Sequence, residues 1–105
     1  MQTKNKQQEE LDSLIEEISR KRKERQEALL NTIQELNPEA MLADGFDECV
    51  MGYDKDGRVI YSVEEIIGTL MSRDGMTHEE AIEFYGFNIE CAYVGEFTPI
   101  YMYEE

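Results

Sequence analysis

From Gln7 to Leu36 the chain contains neither glycine nor proline and is dominated by strong helix formers, so it reads as a single helix. Asn37-Pro38 closes it. About 30 residues at about 1.5 Å rise each make a rod about 45 Å long. The rest of the chain, about 70 residues, would form a body with a radius of gyration of only about 11 Å. Such a body cannot cover such a rod, and one end of the helix must overhang.

The apolar residues of this helix fall in two clusters, Leu11, Leu14, Ile15 and Ile18, then Leu29, Leu30, Ile33 and Leu36. Each has the three-and-four spacing of one helical face. Between them Ser19 to Glu27 holds no apolar residue, and Glu16 with Arg20, Glu17 with Lys21 and Lys23 with Glu27 stand one helical turn apart, as on a solvated helix. If the second cluster docks on the body, Leu11, Leu14, Ile15 and Ile18 need a cover. The expected cover is a second chain, giving a homodimer by a short helix-on-helix, coiled-coil-like contact. A frayed tip, or a helical hairpin turning between Ser19 and Glu27, are the alternatives.

After Pro38 comes a short helix or turn through Met41-Leu42-Ala43, and then the pattern changes. Glu48 to Tyr53 and Arg58 to Tyr61 are rich in β-branched and aromatic residues around Asp54-Lys55-Asp56-Gly57, the pattern of a β-hairpin with glycine at the positive-φ position. Ser62-Val63-Glu64-Glu65 supplies a capping box, and Val63, Ile66, Ile67, Leu70 and Met71 fall on one helical stripe until Asp74-Gly75. Thr77-His78-Glu79-Glu80 is a second capping box, opening a helix to about Cys91 with Ile82, Tyr85 and Ile89 facing inward. Thr98 to Tyr103, with Pro99 at its start, reads as a last strand. The expected fold class is α+β: a long N-terminal helix over residues 1–37, then a small two-layer domain over 38–105 with an antiparallel sheet and both helices on one face.

Net charge is −14, unevenly divided: residues 1–25 hold seven Lys or Arg against six Asp or Glu, whereas residues 26–105 hold three against eighteen. A body so acidic repels phosphate backbones, which disfavours direct nucleic-acid binding and favours basic partners. Acidity also keeps small proteins soluble without further purpose. Cys49 and Cys91 lie far apart with no second cysteine at metal-ligand spacing, so neither a zinc knuckle nor a CxxC pair can be built, and free thiols in a reducing cytosol are expected. No apolar run approaches a membrane span, and the polar start MQTKNKQQEE lacks the apolar stretch of a signal peptide. A cytoplasmic location follows as the expectation.

Asp54-x-Asp56-Gly57 resembles part of a calcium loop, but the register fails. With Gly57 at loop position 6, position 1 is Gly52 and position 12 is Val63, so the first ligand and the bidentate glutamate are both missing. His78 has Ile82, not histidine, four residues on, which removes the zinc-hydrolase pattern, and no nucleophile is tied to it by motif. No phosphate-binding glycine loop is present either. The chain is therefore expected to be non-enzymatic, without metal or cofactor. Arg20-Lys21-Arg22-Lys23 with Arg25 is the one basic run, and at 100° per residue it wraps the helix instead of lining one face. Asp44, Asp47, Glu48, Asp54, Asp56, Glu79, Glu80, Glu83 and Glu90 are candidates for an acidic surface, the solvated side of the fold or a mimic of nucleic acid.

Val50-Met51-Gly52-Tyr53-Asp54, Asp56-Gly57-Arg58-Val59-Ile60-Tyr61, Arg73-Asp74-Gly75-Met76-Thr77-His78-Glu79-Glu80-Ala81, Asn88, Gly95 and Thr98-Pro99-Ile100 together resemble a widespread family of small phage- and prophage-encoded proteins of uncharacterised activity. The likeness covers about residues 45–103, excludes the long helix, and weakens at Glu90-Cys91. It implies a setting, an accessory phage protein inside a bacterial host, and no catalytic residue. The expectation is an inhibitor that binds a host protein with a basic nucleic-acid groove, a defence factor of restriction or CRISPR type, through the acidic surface as a DNA mimic (an anti-CRISPR-like role). The alternative is a dimeric structural or regulatory adaptor whose basic band touches nucleic acid.

Overall fold

The computed structural model describes residues 6–92 and 94–104; residues 1–5, part of the expected helical segment, lie outside it. Helix α1 spans Lys6–Leu36, 31 residues without a break. It carries the longest dimension to 56 Å and the radius of gyration to 16.8 Å, against about 13 Å for a compact chain of this length. The expected overhang is present. Leu30 and Ile33 are buried and Leu29 packs beside them, whereas Leu36, expected to join them, is 60% exposed. At 100° per residue Leu36 falls on the edge of the docked face, on the far side of Leu29 from Leu30.

Docking also begins earlier than the apolar pattern indicates. Arg22 Nη2 lies 2.6 Å from Glu65 Oε2, and Gln26 Nε2 donates to the Glu48 carbonyl. The stretch from Ser19 to Glu27, expected to be solvated all round, is thus anchored along one side by polar contacts.

Beyond α1 the chain forms a single 3-10 turn (Asp47–Cys49), strands β1 (Val50–Tyr53) and β2 (Val59–Ser62), helices α2 (Val63–Ser72) and α3 (His78–Tyr85), a π-helical turn (Gly86–Glu90) and strand β3 (Ile100–Met102). The hairpin forms as expected, but its first strand starts at Val50 and not at Glu48, which lies in the 3-10 turn, and it has a bulge at Met51, between the Val50–Tyr61 and Gly52–Ile60 pairs. Its turn is built by Asp54, whose Oδ1 accepts from the amides of Asp56 and Arg58 at 3.0 and 2.8 Å. Gly57 takes φ +78°, and a Cβ there would stand 2.6 Å from Asn37 Cβ. Asn37 closes the contact by donating from Nδ2 to the Asp56 carbonyl at 3.1 Å, so the end of α1 and the hairpin tip hold each other.

The sheet departs from expectation in one respect. Its order is β1-β2-β3, but β3 runs parallel to β2, with Ile60, Tyr61 and Ser62 beside Ile100, Tyr101 and Met102. The sheet is mixed, not antiparallel, because α2 and α3 together form the crossover that returns the chain to the starting end of β2. Arg58 Nε fastens the entry of β3 by donating to the Thr98 carbonyl at 2.9 Å.

Ser62 caps α2 by accepting from the Glu65 amide, but the reciprocal half of that capping box is absent among the described residues, the Glu65 carboxylate being turned to Arg22. The Thr77–Glu80 box is complete. Val63, Ile66, Ile67 and Leu70 are buried on α2 as expected, with Val59, Tyr61, Ala81, Tyr85 and Ile89 filling the same core. Ile82, expected inside, is 49% exposed. The inward face of α3 instead runs through Ala81, Tyr85 and Ile89, four residues apart, so Ile82 is displaced to the flank. Regular α-helix stops at Tyr85 and not near Cys91; the wider turn that follows keeps Ile89 buried and leaves Phe87 exposed.

Candidate functional site

The acidic candidates separate into two kinds. Three of them hold the fold: Asp54 builds the hairpin turn, Glu80 accepts from the Thr77 amide at 3.0 Å, and Glu90 accepts from the Tyr103 hydroxyl. The backbone amide of Thr77 first, and then its side chain, hold the Glu80 carboxyl below its ordinary pKa. Asp44, Asp47, Glu48, Asp56, Glu79 and Glu83 are exposed, and among the described residues their carboxylates make neither ion pair nor hydrogen bond. Asp44, Asp47 and Glu48 belong to the loop before β1, Asp56 to the hairpin tip, and Glu79 and Glu83 to α3. A further acidic concavity, not indicated by the sequence pattern, runs along α2 from Glu64 and Glu65 to Ser72 and is closed by Glu104. Its only trace in the sequence is the Glu64-Glu65 pair, and the nearness of Glu104, which accepts from Ser62 Oγ at 2.6 Å, comes only from the tail folding back.

Cations in the body are few and are largely taken up internally. Arg58 is bound to the Thr98 carbonyl. Arg73 lies 5.1 Å from the Phe46 ring centroid, donates to the Gly45 carbonyl at 2.6 Å and grips Asp74 with two bonds of 3.0 Å.

Arg73 closes one end of a cleft of about 470 Å³ between α1 and the end of α2. Cys49 stands at its wall, buried, with Sγ 3.5 Å from Thr69 Oγ1, and burial pushes its thiol pKa up, which keeps it neutral and a poor nucleophile. His78 is exposed on the first turn of α3, and Cys91 is exposed beyond the π-helical turn; the fold does not bring the two thiols together. A second concavity, about 530 Å³ and largely apolar, runs between α2 and α3 past Ile67, Met71, Ile82, Tyr85 and Tyr103. The Tyr85 hydroxyl sits near the Tyr103–Glu90 pair, without a well-formed hydrogen bond of its own among the described residues. Burial above all, then these two neighbours, raises its pKa far beyond the tyrosine range.

The N-terminal candidates lie apart from all of this. Leu11, Leu14, Ile15 and Ile18 are half exposed on the overhang. Around the basic band, Lys21 pairs with Glu17 at 3.2 Å and Arg22 with Glu65, while Arg20, Lys23 and Arg25 are exposed. Among the described residues no helix is long and apolar enough to cross a membrane. Comparison of the chain with protein-family models, with curated proteins and with solved structures gives no match.

Proposed function

We propose that the protein acts by binding and not by catalysis: its acidic body occupies a basic nucleic-acid groove on another protein, as an accessory inhibitor of phage type. The observation that carries this reading is the imbalance of free charge on the body. Among the described residues six exposed carboxylates stand without cationic partners, whereas of the three cations beyond residue 25 Arg58 and Arg73 are bound to carbonyls and to Asp74 and only Lys55 is exposed at the hairpin tip. A field of one sign, with little internal neutralisation, attracts a complementary groove and repels nucleic acid. The resemblance over about residues 45–103 supports the phage setting, and a host restriction or CRISPR-type enzyme is the partner class that fits it.

The exposed basic side chains on α1 favour a second reading, an adaptor that touches nucleic acid directly. A gel-shift experiment separates the two. With a nucleic-acid-binding host enzyme captured on the immobilised protein, the inhibitor reading expects added protein to release DNA from that enzyme. The effect should fade with salt and be abolished in Asp44→Lys/Asp47→Lys/Glu79→Lys/Glu83→Lys. Retention of DNA by the protein alone supports the adaptor instead. Salt-indifferent capture, or release unaffected by the charge reversals, removes the acidic surface from consideration.

A further inference from the structure

Leu11, Leu14, Ile15 and Ile18 are 50%, 53%, 52% and 56% exposed, and the direction they face decides what can cover them. Eighteen residues make five helical turns, so Leu11 points the same way as Leu29 and Ile15 the same way as Ile33. Leu29 packs on the core and Ile33 is fully buried. The bare stripe therefore looks out on the body's side of α1, into the corner above the point where Arg22 meets Glu65.

We propose that this corner is filled by α1 of a second copy running antiparallel, with Leu11 of each chain against Ile18 of the other and Leu14 against Ile15 at the dyad. Pairing Leu11 with Ile18 sets Gln7 opposite Arg22, so the described part of the overhang is matched along its length before the body begins. A parallel pair is sterically excluded, since both bodies lie on the stripe's side of their helices and would need the same space at the same level.

Charge points the same way. The antiparallel pair keeps two bodies, each with three Lys or Arg against eighteen Asp or Glu beyond residue 25, at opposite ends of an overlap longer than the screening length of about 8 Å at physiological salt. Glu10 of one helix and Lys21 of the other fall on the same flank of the seam, close to each other in this register. The partner's Lys6 falls at the level of Lys23 in this register, towards the concavity of Glu64, Glu65 and Glu104.

The test is solution molar mass across a concentration series, for the full chain and for Leu14→Glu/Ile18→Glu. The wild-type chain should form a dimer that the variant weakens roughly 100-fold or more, while the near-ultraviolet tyrosine signal of the body stays unchanged. Orientation is read by disulfide formation in a Cys91→Ser background. A mixture of Leu11→Cys and Ile18→Cys chains should give the mixed disulfide, whereas a Leu11→Cys homodimer disulfide would mean a parallel pair and overturn the proposal. A monomer at every concentration overturns it as well. So does a dimer that survives Leu14→Glu/Ile18→Glu but is lost in Ile82→Glu, which would place the contact in the groove between α2 and α3.

Discussion

Arg22 and Glu65 meet at 2.6 Å across 43 residues of chain, and this contact marks the level at which α1 leaves the body. Below it the helix is held by Gln26, Leu30, Ile33 and Asn37; above it the helix is bare. The same contact turns the Glu65 carboxylate away from its helix start, leaving Ser62 to cap α2 by itself.

Both partners remain about half exposed, at 50% and 45% of their side chains, so the ion pair positions the helix more than it stabilises it. A double-mutant cycle with Arg22→Ala and Glu65→Ala, read by urea unfolding, should give a coupling of about 0.2–1 kcal/mol that shrinks at high salt. A coupling of several kcal/mol would mean that the helix depends on this contact for its attachment.

Gly57 and Gly75 both have positive φ, +78° and +70°, but only Gly57 has a neighbour where a Cβ would go, Asn37 Cβ at 2.6 Å. Gly75→Ala should cost about 1 kcal/mol, the backbone penalty alone. Gly57→Ala should cost more, about 2–4 kcal/mol, because it also separates the hairpin tip from the end of α1. Equal midpoints for the two variants in denaturant would contradict this contact.

The complete capping box at Thr77 and Glu80 makes two separate predictions. Thr77→Ala should lower stability by about 1 kcal/mol. The backbone and side-chain bonds at Thr77 lower the Glu80 pKa from 4.5, so its contribution is present above pH 4.5 and lost as pH falls through the lower folded value. A side-chain NMR titration should place the Glu80 midpoint below 4.5, and Thr77→Ala should move it back up.

Tyr61 shares the alkaline side with Tyr85, both phenols being raised chiefly by burial. Burial raises the Tyr61 pKa from 10.0 to about 12, against the opposing effect of the Ala43 amide that it accepts at 2.8 Å. A raised phenol pKa gives stability that is whole below pH 10 and is lost as pH climbs towards 12. Tyr61→Phe should cost about 1 kcal/mol at pH 7, since the Ala43 amide loses its acceptor, yet it should make the fall in stability above pH 10 less steep, the Tyr85 share remaining. Alkaline denaturation with absorbance at the tyrosinate band checks both effects.

The long helix, the hairpin, both N-terminal helix caps and the overhanging stripe at Leu11, Leu14, Ile15 and Ile18 were legible in the residues, because periodicity, capping and glycine placement are local properties of the chain. The direction of β3 was not, since a Thr-Pro-led strand looks the same in a parallel or an antiparallel pair, and only the packing of α2 and α3 as a crossover decides it. Ile82 was placed inward on apolar character, but the buried face of α3 runs through Ala81, Tyr85 and Ile89, which turns Ile82 to the flank beside the groove between α2 and α3. Apart from Glu80, whose capping box was legible, the acidic candidates could be counted from composition but not sorted. Asp54, Glu80 and Glu90 serve the fold while, among the described residues, Asp44, Asp47, Glu48, Asp56, Glu79 and Glu83 make no ion pair or carboxylate hydrogen bond, because a carboxylate's role depends on which donor the fold brings to it, local for Asp54 and Glu80 and more distant for Glu90.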